Sequence, residues 1–257
     1  MQVGLIGAGN MARALARGWG DPVLCSDGGS GRARELVAEL GGEALSNRKV
    51  AEQADIVVLC HKAYQLRQVG QEIHGLAKAV VSVLGGVSTG MLQNIYRETP
   101  VFALMPNTPV EVRRGTIVYA ERPSEQAPVD TEVERQVLEL FERVGVVVRV
   151  PEAVLGPATA LSGVGPAYQA LLVEAQVDAA VRRGLNAALA SQLVAETMAG
   201  SAALLTARGY DTLAVRREVT SPGGVTARGL AALESAGIRG IFREALDAVI
   251  ETEDNAR

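Results

Sequence analysis

The first residues able to do chemistry form a phosphate cradle. Gly7-Ala8-Gly9-Asn10-Met11-Ala12 follows directly on the apolar run Val3–Ile6 and leads into a helix-patterned segment. That is the G-x-G-x-x-A order in its strand-to-helix context. Gly7 makes the tight turn, Gly9 leaves the backbone bare for a pyrophosphate, and Ala12 lets the helix pack closely on the strand. Asn10 and Met11 open the helix, whose N-terminus favours negative charge. Asp27 ends the second apolar run, in the place where a carboxylate accepts hydrogen bonds from the adenosine ribose of a dinucleotide. A carboxylate there repels a 2′-phosphate, so the expected cofactor is NADH or NADPH with a lean towards NADH. Ser26, Ser30, Arg32 and Arg34 lie near enough in sequence to offer a phosphate other contacts.

Further along, Asn47 precedes a short helical segment and Lys62 follows the apolar run Ile56–Cys60. Both occupy carboxyl-end positions where a cofactor lies across an open sheet. Asn47 is equally suited to capping its helix. His61 and His74 have no acidic or cysteine neighbours at a ligand spacing, so no metal site is expected.

Three turns follow. Met105-Pro106-Asn107-Thr108-Pro109 is stiffened by its prolines and falls near the expected nicotinamide position. Leu161-Ser162-Gly163-Val164-Gly165-Pro166-Ala167-Tyr168 reads as a turn opening a long helix, with Ser162, Gly163 and Gly165 serving either a tight helix start or the lining of a site. Thr220-Ser221-Pro222-Gly223-Gly224-Val225-Thr226 opens a helix near the C-terminus.

Together with the glycine motif, with Glu174-Ala175-x-x-Asp178-Ala179-Ala180-Val181 and with Leu233-Glu234-x-x-Gly237-x-Arg239, these turns resemble the Δ1-pyrroline-5-carboxylate reductase family along essentially the whole chain. The resemblance implies hydride transfer from a reduced nicotinamide to the C5 imine carbon, giving L-proline, in a site shared between a Rossmann domain and an interleaved helical dimer. It places Asn107 at the nicotinamide end and the Thr226 hydroxyl on the ring nitrogen of the substrate. Backbone N–H groups around Ser221, Gly223, Gly224 and Val225 at a helix N-terminus make a receptor for the substrate carboxylate without a cationic side chain. Thr226 is a poor acid, so its expected role is orientation, with the proton arriving through water or on a pre-formed iminium. Glu174 and Asp178 share a helix face; polar anchoring within the dimer is expected of them rather than acid–base work.

The chain departs from the family pattern in four places. His61-Lys62-Ala63 stands for Val-Lys-Pro, Gly156-Pro157 for Asp-Ala, and Gly209-Tyr210-Asp211 for a Glu-His-Pro-like stretch. Asp27-Gly28 replaces the Asn-Arg pair of NADPH-preferring members. Two other readings stay open: a reductase of a six-membered cyclic imino acid, and a non-catalytic dinucleotide-binding sensor. A β-hydroxyacid dehydrogenase is disfavoured, because no lysine occurs between Gly156 and Arg182.

The elements that must position these residues read in two blocks. Val3–Ile6, Val23–Cys25, Ile56–Cys60, Ala79–Val83 and Val101–Leu104 alternate with helical segments, as in a doubly wound, mostly parallel sheet. Thr116–Ala120 and Val146–Val150 flank a helical stretch, Thr131–Arg143, and extend the sheet at its far edge. The expected division is a Rossmann domain over 1–151 and an all-helical dimerisation and substrate-binding domain of about four helices over 152–257, joined rigidly without a linker. Leu171–Val181 and Ala187–Leu205 are apolar around much of their circumference, which calls for a partner copy; a homodimer follows, and the family's ring-shaped oligomers extend the possibilities.

A net charge of -4 with no basic block gives no footprint for nucleic acid or for an anionic membrane. No apolar run reads as reaching the ~20 residues of a membrane span, and the Met1-Gln2-Val3-Gly4 start resembles no leader. Cys25 and Cys60 are expected as free thiols in a reducing, cytoplasmic setting.

Overall fold

Runs of Val, Ile and Leu too short for helices become strands, because branched side chains fit a pleated surface better than a helical turn. The computed structural model describes residues 1–121 and 131–255. Among these are eight strands: β1 (Val3–Ile6), β2 (Val23–Ser26), β3 (Gly42–Ala44), β4 (Ile56–Leu59), β5 (Val80–Ser82), β6 (Val101–Pro106), β7 (Gly115–Glu121) and β8 (Gly145–Pro151). They form one sheet in the order β3-β2-β1-β4-β5-β6-β7-β8. All neighbours run parallel except β6 and β7, with Leu104 opposite Tyr119. The strand order turns at β1, so a crevice opens beyond the carboxyl ends of β1 and β4, where open α/β sheets bind ligands.

The expected strands all appear, and β7 and β8 extend the far edge. β3 carries no apolar pattern and escaped the sequence reading; all three of its residues are exposed. What forms it is backbone proximity, since a Cβ on Gly42 (φ +105°) would fall 1.9 Å from the Val23 carbonyl oxygen.

Helices α1 (Asn10–Trp19), α2 (Arg32–Leu40), α3 (Asn47–Gln53), α4 (Leu66–Glu72), α5 (Thr89–Ile95) and α6 (Thr131–Glu142) cover the sheet. Successive strand residues face opposite ways. Leu5, Val58, Val81 and Phe102 join Trp19 and Phe141 in one buried cluster, and Ile6, Val57, Leu59 and Val80 join a second. Trp19 donates its indole N–H to the Leu140 carbonyl (2.9 Å) and meets Phe141 edge-on. The helix of the glycine motif is locked to the segment after β6 in the same region. A Cβ on Gly18 would stand 2.1 Å from the Val110 carbonyl oxygen, and Arg113 Nε donates to the Gly18 carbonyl (2.8 Å).

Five helices follow among the described residues: α7 (Leu155–Val181), α8 (Ala187–Ala207), α9 (Thr212–Glu218), α10 (Val225–Ser235) and α11 (Ile238–Asn255). The chain packs as two compact units that part between Pro166 and Ala167, the second running to Glu251. This lies beyond the expected boundary at 151, because Leu155 is buried in the second sheet cluster with Ala158 packed beside it. The segment Leu161–Tyr168 is not a turn but lies inside α7, which continues through Pro166.

Among the described residues of 167–250, Ala190 is the one buried residue, and Leu171, Leu189, Leu193 and Ile241 are exposed. The expectation about membrane-span length needs correcting too. The 21 residues of α8, with a mean hydropathy of 1.2 over their most apolar window, are long and apolar enough to cross a bilayer. This is so by length and composition only, since Ser191, Gln192 and Glu196 interrupt the apolar run.

Candidate active site

Beyond the carboxyl ends of β1, β2 and β4 lies a cleft of about 550 Å³. Gly7, Gly9, Asp27, Asn47 and Lys62 all line it, which brings together five of the eight residues the sequence assigned to a cofactor. Gly7 has φ +104°, and a Cβ there would meet the Cys60 carbonyl carbon at 2.6 Å, so only glycine lets the β1 turn lie against the end of β4. At Gly9 a Cβ would have nothing nearer than the Cys60 oxygen at 4.0 Å. The backbone is therefore bare towards the cleft, and Gly9, the N-cap of α1, supplies no side-chain cap to the helix amides. These residues fit a dinucleotide pyrophosphate. Asn10 and Met11 do not line the cleft; Asn10 is exposed and Met11 packs against the core, so what they offer a phosphate is backbone N–H.

Asp27 ties its own loop. Oδ1 accepts from the Gly29 N–H (2.8 Å), and Oδ2 from the Ser30 hydroxyl (3.0 Å) and the Ala33 N–H (2.9 Å). These bonds, the Ala33 amide foremost, hold the carboxyl below its ordinary range. Asn47 is the first residue of α3 and not its cap, since Ser46 accepts from the Lys49 N–H. Its amide instead spans the cleft, with Ser26 Oγ donating to Oδ1 (2.6 Å) and Nδ2 donating to Glu72 Oε2 (2.6 Å). Gln68 donates to the other Glu72 oxygen (2.9 Å).

Gln65, Gln68 and Glu72 also line the cleft and were missed in the sequence. Their spacing of three and four residues put them on one helix face, a stripe that was available to be read. His61 is a further lining residue. Its Nδ1 lies 2.8 Å from the Lys62 carbonyl, so that nitrogen carries the proton, while Nε2 is buried without a partner. Burial lowers its pKa.

Asn107 lies at the end of β6, 8% exposed and outside the cleft. Its Oδ1 accepts from the Thr116 N–H (2.8 Å), and its Nδ2 donates to the Ser162 carbonyl (3.1 Å). The second bond has a cause inside α7. Pro166 has no N–H, so the Ser162 carbonyl lacks its helical donor four residues on, and Asn107 supplies the donor instead. The Ser162 hydroxyl bonds back to the Ala158 carbonyl (2.9 Å), which favours a structural role for it.

In the helical unit, Gly223 (φ +70°) turns the chain and Gly224 is the N-cap of α10, without a side-chain cap bond. The Gly224 N–H bonds the Ser221 carbonyl (3.0 Å). A Cβ on Gly224 would fall 2.3 Å from Ser221 Oγ and 3.1 Å from the Ser221 carbonyl oxygen, so a larger residue there would have to move the Ser221 side chain. This leaves the first amides of an 11-residue helix, at Val225 and Thr226, as donors for an anion. Val225 itself points outward, 84% exposed, and Thr226 is half-buried. Thr220 Oγ1 is buried without a partner beside this turn, a polar group the sequence reading passed over. Glu174 and Asp178 lie exposed on α7. Tyr210 adopts φ +66° ahead of Asp211, which caps α9. Among the described residues, no cluster of His, Cys, Asp or Glu could hold a metal.

Comparison with known proteins bears on both units. Residues 152–255 match the family model described as pyrroline-5-carboxylate reductase dimerisation, and residues 2–86 match NADP oxidoreductase coenzyme F420-dependent. Pyrroline-5-carboxylate reductase from Synechocystis is 31% identical, with 96% of this chain and 95% of that protein covered. The chain belongs to the pyrroline-5-carboxylate reductase family. Its fold agrees with a solved pyrroline-5-carboxylate reductase from Coxiella burnetii at a TM-score of 0.85 and 30% identity, covering 99% of this chain and 97% of that one. The NADP-bound pyrroline carboxylate reductase of Plasmodium falciparum matches at a TM-score of 0.84 and 27% identity, covering 98% and 97%. As a family member the chain is an oxidoreductase with a nicotinamide-dinucleotide fold.

Proposed function

We propose that this chain reduces Δ1-pyrroline-5-carboxylate to L-proline, with a nicotinamide dinucleotide as donor. The observation that carries this reading is the uncapped start of α10, where bare glycine backbone and unspent amides stand beside the Thr226 hydroxyl in a chain of this family. The dinucleotide, when bound, supplies a hydride to the imine carbon. Gly7, Gly9 and the first amides of α1 hold its pyrophosphate, and Asn47 and Lys62 line its path. Asn107 serves the nicotinamide end chiefly as an anchor, since its amide already holds two backbone groups and keeps one N–H of Nδ2 in reserve. The free backbone N–H groups of Val225 and Thr226, with those of Ser221 and Gly223 in the turn before them, bind the substrate carboxylate, and the Thr226 hydroxyl orients the ring nitrogen as amine character develops there.

We propose further that the helical unit is completed by a second copy. The uncovered apolar faces of α7 and α8 support this, and Glu196 in the middle of α8 argues against lipid as the cover. The free thiols Cys25 and Cys60 suit a cytoplasmic enzyme.

The test follows oxidation of NADH and NADPH with pyrroline-5-carboxylate and with its six-membered homologue. Thr226→Ala lowers kcat/KM by at least about tenfold; an unchanged value removes Thr226 from the mechanism. Faster turnover of the six-membered ring reassigns the substrate, and cofactor binding without oxidation of either imine makes the chain a sensor. On sequence grounds Asp27 leans towards NADH. In the structure, however, three of its roughly four acceptor positions are taken by its own loop, so the choice between the two cofactors turns on the charges around it.

A further inference from the structure

The segment that leads into α7 is tied to the chain just beyond two neighbouring strands, β5 and β6. At its far end the Ser162 carbonyl accepts from Asn107, which follows β6. At its near end Glu152, on the turn Glu152–Val154 between β8 and α7, takes hold of Thr89, the first residue of α5. One carboxylate oxygen of Glu152 accepts from the Thr89 N–H (2.8 Å) and the other from the Thr89 hydroxyl. Glu152 is half-buried and Thr89 is 3% exposed, so both bonds are partly shielded from water.

Thr89 closes the loop that follows β5. Where the loop begins, Ser82 Oγ accepts from the Leu84 N–H (3.3 Å), and the side chains of Leu84 and Val87 are buried. Between these anchors Gly85 and Gly86 are exposed, and a Cβ on either would meet nothing within 4 Å. Gly86 has φ +75°, and neither glycine makes a backbone hydrogen bond among the described residues. The tip of the loop is bare peptide with unspent N–H and C=O groups.

We propose that Glu152 is a positioning residue: through Thr89 it holds the Gly85-Gly86 turn where that turn meets the nicotinamide half of the bound dinucleotide. The inference rests on the dinucleotide reading above and deepens it. Asp27 after β2 marks the adenosine side, and Gly7 and Gly9 after β1 mark the pyrophosphate, so the remaining half runs away from β2, towards β4 and β5. β5 stands two strand spacings from β1, roughly 10 Å, within reach of a nucleotide. Peptide N–H and C=O groups there suit the ribose hydroxyls and the carboxamide of that half. Two glycines in a row leave such a turn many conformations. Two hydrogen bonds to a charged carboxylate, stronger than neutral ones, fix the residue on which it ends.

The experiment measures equilibrium binding to the full-length protein without any imine. NADH is compared with ADP-ribose, and NADPH with 2′-phospho-ADP-ribose, each fragment lacking only the nicotinamide. Glu152→Ala weakens both dinucleotides at least about tenfold and both fragments less than about twofold. Thr89→Val, which keeps the N–H and loses the hydroxyl, gives a smaller loss of the same kind. Glu152→Gln, with one acceptor oxygen left, falls between Glu152→Ala and the unaltered protein. Should Glu152→Ala fail to fold, which denaturant unfolding reports, Glu152→Gln and Thr89→Val carry the same comparison. Equal losses for dinucleotides and fragments overturn the proposal, because they mark a merely structural role, and so does undiminished dinucleotide binding in the variants. Selective loss of the dinucleotides, in a protein whose unaltered form leaves pyrroline-5-carboxylate unreduced, keeps this inference and sinks the reductase reading. Failure of the unaltered protein to bind either dinucleotide overturns both.

Discussion

Residues Met1–Pro166 and Ala167–Glu251 spend their apolar side chains in opposite ways. In the first, strand residues such as Leu5, Val58, Leu59 and Val81 are fully buried on both faces of the sheet, and the core closes within the unit. In the second, helices of 27 and 21 residues leave Leu171, Leu189 and Leu193 uncovered. At ~25 cal/mol per Å² of apolar surface, such helices forgo most of the burial that would stabilise them alone. The difference separates two kinds of site. The strands and helix starts that frame the dinucleotide cleft are packed within their own unit. The α10 turn draws its stability from whatever covers the helices.

The largest expected effect breaks the first half of that comparison. Gly18→Ala drives a Cβ into the Val110 carbonyl and separates α1 from the segment after β6; a loss of about 3 kcal/mol follows, read by denaturant unfolding. Leu193→Glu, at a position 51% exposed in one chain, breaks the second half. Light scattering after size exclusion should show loss of the dimer while the dinucleotide still binds. A dimer that survives this change on α8 would show that its interface lies on another face.

A smaller effect tests how the first unit holds α7. Asn107→Ala leaves the Ser162 carbonyl without a donor and costs about 1–3 kcal/mol. Adding Pro166→Ala restores the helical N–H and recovers part of that loss, which thermal unfolding of the double variant checks. An additive loss would mean that the two residues act independently.

The smallest effect is a pH dependence. His61 has a folded pKa below its ordinary value of 6.5 because of burial. The unfolded chain therefore takes up the proton first, and stability falls as pH drops through 6.5 towards the folded pKa. In His61→Val this part of the acid sensitivity disappears, which a comparison of Tm between pH 7.5 and 5.5 would show.

What the sequence disclosed was what lies close along the chain. The Gly7–Ala12 turn and Asp27 sit at strand ends that the apolar runs marked out, and Gly7, Gly9 and Asp27 do line one cleft; the reading of the Ser221–Thr226 turn came from the family resemblance. Strands rich in Val and Ile were legible from their own residues. β3 was not, because Gly42-Glu43-Ala44 has no apolar pattern and is a strand through its parallel pairing with Val23, Leu24 and Cys25 of β2. Gln68, Glu72 and His61 reach the cleft from a different element than the glycine turn, and only the sheet order brings them there. The length of α7 was hidden by Gly163, Gly165 and Pro166, residues that usually end helices. The local signal was overridden because Asn107 satisfies the carbonyl that Pro166 leaves open.

That exchange has a consequence for anyone rebuilding this scaffold. Met105–Pro109 and Ser162–Pro166 look like two separate signatures, but the first donates the bond that the second withholds. They behave as lock and key cut from one chain. Transplanting either into another enzyme without its counterpart would strand an acceptor in one host or a donor in the other, so the two segments must be moved as a pair.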